Sequence, residues 1–417
     1  MFYRKTELDN GMTVISETMP SVHSVSLGLW FNVGSRDETG DQAGLTHFME
    51  HMMFKGTLQR SPLDISMHFD SLGAELNAFT SKEYTCYYAR FVEDKLAEAL
   101  EVLSDMVINS TFAQDAIDTE REVVIEEIAR SEDTPDDHVF ELFSGSMLEG
   151  HELGLPVLGT RQRVGSYVQA DCRAFHDTHY HAGELTLAAA GAIDHDVLVD
   201  LAQRFFSALP AGHKTIRASA SASTHAGLFS LERDIEQAHM VYGVPWLASG
   251  DERRWAASVL TSLLGGSMSS RLFQEVREKR GLVYSIYAMQ ALYQGVGQWC
   301  IYAGTRPDNL GEVLSIIRAE LERIAREKVD AEELQRNVDL ICGQLSLGLE
   351  TTNSHMVRLG KRETLGLIQE SPEESLAHYR AVTPEDVSRI AKEMLVSQPT
   401  IAVISPYDSD RLAEMID

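Results

Sequence analysis

Residues 86–100 of this chain read CYYARFVEDKLAEAL, and residues 300–314 read CIYAGTRPDNLGEVL. The two segments align without a gap at an offset of 214, pairing Cys86 with Cys300, Tyr88 with Tyr302, Ala89 with Ala303, Asp94 with Asp308 and Leu96 with Leu310. Each copy runs from an alternating, aromatic-rich stretch, the period-2 mark of a strand, into an amphipathic helix. The helical apolar positions are Leu96, Ala99, Leu100 and Leu103 in one copy, and Leu310, Val313, Leu314 and Ile317 in the other. A strand-to-helix unit repeated at this distance points to duplication of a whole domain.

Around each copy lie further elements of the same kinds. SVSLGLWFNVGS and LTLAAAGAI read as strands, and residues 94–108, 115–131, 310–326 and 331–350 read as helices. Between the halves, PAGHKTIRASASASTHAGL at 210–228 is small, polar and aperiodic, as a linker is. The expectation is an α+β protein of two homologous α/β-sandwich domains, each an antiparallel-rich sheet with helices packed on it. An N-terminal domain spans 1–209 and a C-terminal one 229–417.

The chain is long enough, at 417 residues, for each half to bury its own core. Its formal charge of −27 opposes binding to nucleic acid or to an anionic membrane surface and favours basic peptides as partners. Cys86, Cys172, Cys300 and Cys342 are scattered without a CxxC pair, so buried free thiols in a reducing compartment are expected. The opening MFYRKTELDNGMTV has no apolar signal core, and no stretch reaches the length of a membrane span. A cytoplasmic location is the expectation.

Residues 47–51 read His-Phe-Met-Glu-His. On a helix, His47 and His51 project one turn apart from one face, with Glu50 close beside them. Two imidazoles so placed can hold a divalent ion while the carboxylate reaches that ion's water; this is the HxxEH order of the inverted zincins. Chance would supply roughly 0.1 such matches in a chain of this composition. A catalytic zinc usually has a third protein ligand. EREVVIEEIAR at 120–130 offers Glu120, Glu122, Glu126 and Glu127 on a helix whose apolar face includes Val123, Val124 and Ile128, and spacing alone does not choose among them. Met49, Met52 and Met53 read as packing around the motif helix. His176, His179 and His181 read as a helix-to-strand junction, and Gly265-Gly266 is no phosphate loop because no GK[ST] follows.

HFMEHMMFKGT followed by the ERxVxxEEI helix resembles the pitrilysin/insulinase family of zinc metallopeptidases, in particular its mitochondrial-processing-peptidase-like branch of roughly 45-kDa chains. The resemblance extends through LDNGMTVISE, FNVGSRDE, LGAELNAFTSKEYTCYY, HYHAGELTLAAAGAID and GGSMSSRLFQEVREKRGLVYSIYA. It implies that His47, His51 and Glu127 are the zinc ligands, one ion per chain. It further implies Glu50 as catalytic base, Glu120 as a carboxylate behind the ligands, and Arg277 with Tyr284 as a pair facing the zinc from the opposite half of a clamshell. Asn77 and Ala78 match the strand edge along which substrates lie.

The implied function is a zinc endopeptidase acting on short or unfolded peptides. A two-domain chain is half the length of the family's single-chain clamshells, so the resemblance implies a homodimer, or a hetero-oligomer with a similar chain, in which Arg277 and Tyr284 serve the partner's zinc. The alternative is a non-catalytic partner or scaffold subunit of a processing-peptidase-like assembly. No HxxEH occurs in the second half, where the positions 214 beyond the motif are Thr261, Leu264 and Gly265.

Overall fold

A computed structural model describes residues 2–217 and 223–416, so part of the expected linker, 218–222, lies outside the described residues. The chain forms two compact units. The first comprises Met1–Ala129, Leu155–Arg217 and Gly348–Gln369; the second comprises Arg130–Gly154, Ala218–Leu347 and Glu370–Asp417.

The first unit is built on six strands: β1 (Arg4–Glu7), β2 (Thr13–Thr18), β3 (Ser24–Phe31), β4 (Glu75–Thr80), β5 (Thr85–Val92) and β6 (Leu185–Gly191). They lie in the order β1-β2-β6-β3-β5-β4. The second unit has β7 (Gly227–Glu232), β8 (Ala238–Trp246), β9 (Val283–Leu292), β10 (Gly297–Thr305) and β11 (Thr400–Ser405), in the order β7-β11-β8-β10-β9. Reading β7 for β2, β11 for β6, β8 for β3, β10 for β5 and β9 for β4 turns the run β2-β6-β3-β5-β4 into the second order, with β1 an additional edge strand of the first sheet. The sense of pairing is kept as well: β2 with β6 and β7 with β11 are parallel, and the remaining pairs are antiparallel. Cys86 and Cys300, the first residues of the sequence repeat, stand on the equivalent strands β5 and β10.

Alternation decides which way each strand faces. Val25, Leu27, Leu29 and Phe31 of β3 enter the main core of the first unit, under the helix Leu96–Asn109, while Trp30 points to the other face. A strand buried on both faces needs a second apolar cover, and this cover comes from the far half of the sequence. The helix Thr352–Thr364 belongs to the first unit, where Met356 and Leu359 pack on Ile15, Trp30, Cys86, Ala188 and Ala190. Reciprocally, the helix Pro135–Met147 belongs to the second unit, where Val139, Phe143 and Met147 pack on Val241, Cys300, Tyr302, Ala402 and Ile404. A division at 209 and 229 therefore separates the strands of the two sheets but not these two helices.

The two covers fit by opposite means. A Cβ on Gly360 would stand 2.2 Å from Trp30 Nε1, so the helix must be bare where the strand is large. In the second unit the strand carries the glycine: a Cβ on Gly243 would stand 2.4 Å from Phe143 Cζ. The four cysteines are free and buried. Among the described residues, no helix is long and apolar enough to cross a membrane.

Candidate metal centre

The helix Leu45–Met52 buries Leu45, Phe48, Met49 and Met52 in the core, with Met53 just beyond, which turns His47, Glu50 and His51 outward together. Its N-terminus is held by Glu38, whose carboxylate accepts hydrogen bonds from the backbone N–H of Gly44 (2.8 Å) and Thr46 (2.7 Å). The Glu38 oxygens satisfy two backbone donors of the helix terminus, and burial pushes the carboxyl up to about 7 against the pull of those bonds. Gly44 itself has φ of 90°, a left-handed conformation open to glycine without strain.

The helix Gln114–Glu132 packs beside it through Ile117, Val124 and Ile128, with Glu120 buried in the same stripe. Val123, expected on the apolar face, is instead 41% exposed. The buried stripe of this helix runs through Ile117, Glu120, Val124 and Ile128 and is too narrow here to include Val123. Glu127 continues the side marked by Glu120, two turns on.

Donor atoms of His47, His51 and Glu127 lie within 4.8 Å of one another. Glu127 Oε2 is 3.7 Å from His47 Nε2 and 3.6 Å from His51 Nε2. Four-coordinate zinc with arms of 2.0–2.1 Å separates its ligand atoms by roughly 3.3 Å, so the set needs little adjustment to accept the ion. Burial pushes the His47 imidazole down to about 4, with His51 adding to the shift, which keeps it neutral and able to ligate near pH 7. Glu120, only 6% exposed, receives His51 Nδ1 at 3.1 Å and Lys55 Nζ at 2.6 Å. Glu50 lies beside the cluster, its carboxyl raised by burial and pulled back by the hydrogen bond from Thr80 Oγ1 at 2.5 Å.

The sequence profile of the insulinase family (peptidase family M16) matches residues 13–161, and that of the peptidase M16 inactive domain matches residues 168–341. An uncharacterized zinc protease of Streptomyces coelicolor is 42% identical, over 99% of this chain and 92% of the relative. One of Bacillus subtilis is 38% identical, over 95% of this chain and 97% of the relative. The chain belongs to the insulinase family, peptidase family M16. The same fold is seen at 20% identity in the crystal structure of a protease from Helicobacter pylori, with a TM-score of 0.90 over 97% of this chain and 99% of the other. A peptidase M16 inactive domain from Pseudomonas fluorescens, also 20% identical, gives 0.92 over 98% and 99%.

The expected site residues of this M16 chain fall into two groups. His47, Glu50, His51, Glu120 and Glu127 are brought together in the first unit, as described. In the same unit, Asn77 and Ala78 lie on β4, the last strand in the sheet order, and Ala78 N–H donates to Asn77 Oδ1 at 2.8 Å. Arg277 and Tyr284 are in the second unit, on the π-helical turn Phe273–Glu278 and on β9, with the guanidinium 5.5 Å above the Tyr284 ring and 4.8 Å from that of Phe273. Tyr284 is 76% exposed, so it is not a packing aromatic of its strand.

In the second half of this M16 chain, small and apolar residues stand at the positions corresponding to the candidate metal centre. Thr261, Leu264 and Gly265 sit buried on the helix Arg254–Gly265, and a Cβ on Gly265 would stand 2.3 Å from the Ala288 nitrogen. The positions 214 beyond Glu120 and Glu127 are Leu334 and Ile341, both packed in or against the apolar core. His176 is tied elsewhere, its Nε2 2.7 Å from the Val107 carbonyl.

Two residues at the site are not singled out by spacing. Thr80 reaches Glu50 from the end of β4, a contact made only by the fold. Lys55 lies beyond the end of the motif helix, and its ion pair with Glu120 is likewise made by the fold.

Proposed function

We propose that the chain is a zinc endopeptidase of the HxxEH type, hydrolysing short or unfolded peptides. The reading is carried by one observation: two imidazoles and a carboxylate converge to within 4.8 Å, and Glu50 stands beside them on the same helix face as the imidazoles. When bound there, zinc lowers the pKa of water towards neutrality and polarises a carbonyl.

His47, His51 and Glu127 would hold the ion, with His51 oriented by Glu120. Glu50 takes the proton of the attacking water and delivers it to the departing amine nitrogen. Thr80 fixes the Glu50 carboxylate for that transfer. Arg277 and Tyr284 donate to the carbonyl oxygen as it gains charge. In this proposal they act from the second chain of a homodimer, or of a hetero-oligomer with a similar chain. Substrate adds along the outer edge of β4 at Asn77 and Ala78 by main-chain hydrogen bonds, which selects extended chains over folded ones. The net charge of −27 favours basic peptides.

The test is hydrolysis of an internally quenched, unstructured peptide by the zinc-loaded chain beside its Glu50→Gln form. Cleavage abolished in the variant is the expected result. A wild-type chain that binds zinc and cleaves nothing would overturn the peptidase reading and leave that of a non-catalytic partner subunit.

A further inference from the structure

Arg217 is the last described residue of the segment that leaves the first unit, and its side chain is only 5% exposed. Its guanidinium grips Asp37 with two bonds, Nε to Oδ1 at 2.8 Å and Nη2 to Oδ2 at 2.6 Å. Nη1 donates to Asn32 Oδ1 at 2.9 Å, and Nη2 donates to the carbonyls of Asn32 (3.2 Å) and Glu83 (2.7 Å). One side chain from an irregular segment thus binds the end of β3, the short turn Ser35–Asp37 and the β4–β5 turn.

Each of these places leads to the candidate metal centre. Asp37 accepts the Gly34 N–H at 2.8 Å, and the Gly34 carbonyl accepts the Thr46 hydroxyl at 3.3 Å. The next residue, Glu38, holds the N-terminus of the motif helix, and Thr46 directly precedes His47. On the other side, the carbonyls of Ser81 and Lys82 accept the N–H groups of Ser35 (3.2 Å) and Arg36 (2.8 Å), while Arg36 pairs with Glu83 at 2.6 Å. That turn follows Thr80, which holds Glu50.

We propose that Arg217 is a positioning residue. From the chain segment that joins the two sheets, it locks the start of the motif helix to the end of β4, so that the imidazoles and the Glu50–Thr80 pair keep one alignment. The proposal rests on reading this cluster as a catalytic metal centre. Arginine is required because its planar fork serves a bidentate carboxylate and three further acceptors at once; lysine is a point donor and cannot.

The test uses Arg217→Lys, which keeps the charge, with Asp37→Asn and the double variant. Three quantities are read in the full chain: zinc affinity by competition with a chromophoric chelator, kcat and KM on the quenched peptide, and amide exchange of residues 45–52 and 80–84 in metal-free protein. Each single variant is expected to weaken zinc binding and lower kcat roughly tenfold, to leave KM within about twofold, and to speed exchange in both segments. The double variant should be no worse than the worse single, because both act through one contact. Folded R217K with unaltered zinc affinity, kcat and exchange overturns the proposal, as does strict additivity. If R217K does not fold, Asn32→Ser, which removes one acceptor, is read by the same criteria. Faster exchange in the variants together with a wild type that cleaves nothing would refute the peptidase reading and keep the positioning role.

Discussion

His51 presents Nδ1 to Glu120 at 3.1 Å, which leaves Nε2 as the ring nitrogen turned to Glu127. An ionised carboxylate only accepts, so Nδ1 carries the proton and Nε2 offers its lone pair. Replacing Glu120 by Ala removes the group that fixes this tautomer and leaves Lys55 without it. Zinc affinity should drop roughly 10–100-fold. Competition with a chromophoric chelator measures it, and unchanged affinity would show that His51 orients itself.

Thr80 should matter to turnover more than to binding. Thr80→Val keeps the shape of the strand residue and deletes the hydroxyl that holds Glu50. Loss of one hydrogen bond to a charged group, about 1.5 kcal/mol, corresponds to roughly a tenfold fall in kcat with KM little changed. Thr80→Ser should recover most of it. Equal kinetics for the Val and Ser variants would remove Thr80 from the mechanism.

Stability should carry a pH signature from His355. Its Nδ1 is 3.0 Å from Glu17 Oε2, and that carboxylate raises the imidazole above its ordinary 6.5. A group that binds its proton more tightly when folded stabilises fully below its unfolded value and loses that contribution as pH rises through the folded one. Wild type should exceed Glu17→Gln in Tm below about pH 6.5, and the gap should close as the solution is made more alkaline. A gap that widens on the alkaline side has the wrong sign for this pair.

If Arg277 and Tyr284 act across a dimer, defective chains can repair each other. Mixing Glu50→Gln chains with Tyr284→Phe chains and allowing exchange should restore activity, up to about a quarter of wild type if assembly is random and one intact site per dimer works independently. A mixture that stays as inactive as its parents contradicts a shared site.

The reciprocal helix covers predict where the chain is least forgiving. Phe143→Ala empties the space against Gly243 and should cost about 3–5 kcal/mol. Gly360→Val drives a side chain into Trp30 and should destabilise by overpacking. Denaturant titration of each variant checks both; a loss below about 1 kcal/mol would mean that the covers repack freely.

How much of this was legible depends on how local each feature is. The i, i+3, i+4 spacing of His47, Glu50 and His51 obeys a rule that any helix imposes, and the strand-to-helix repeat at Cys86 and Cys300 shows the duplication directly. Glu127 is harder, because four glutamates share its helix and only packing beside the motif helix distinguishes it. Val123 is hard for the same reason: a wide apolar stripe takes two adjacent residues and a narrow one takes only one, and the width is set by what packs against the helix. Thr80 and Arg217 join segments far apart in sequence, and Glu38 holds a nearby helix end from an irregular turn; no periodicity reports either. The apolar face of 135–147 shows that the helix is buried, while leaving open which sheet it covers.

That last point bears on how such a chain can have arisen. The helices Pro135–Met147 and Thr352–Thr364 occupy corresponding stations after the helix Gln114–Glu132, which carries Glu127, and after its counterpart Ala331–Gly348, yet each covers the sheet of the opposite half. A half-length ancestor with this habit could complete its own fold only by trading a helix with a sibling. In the present chain the two halves differ at the corresponding place: one brings His47, His51 and Glu127 together, while the other fills it with Leu264, Leu334 and Ile341.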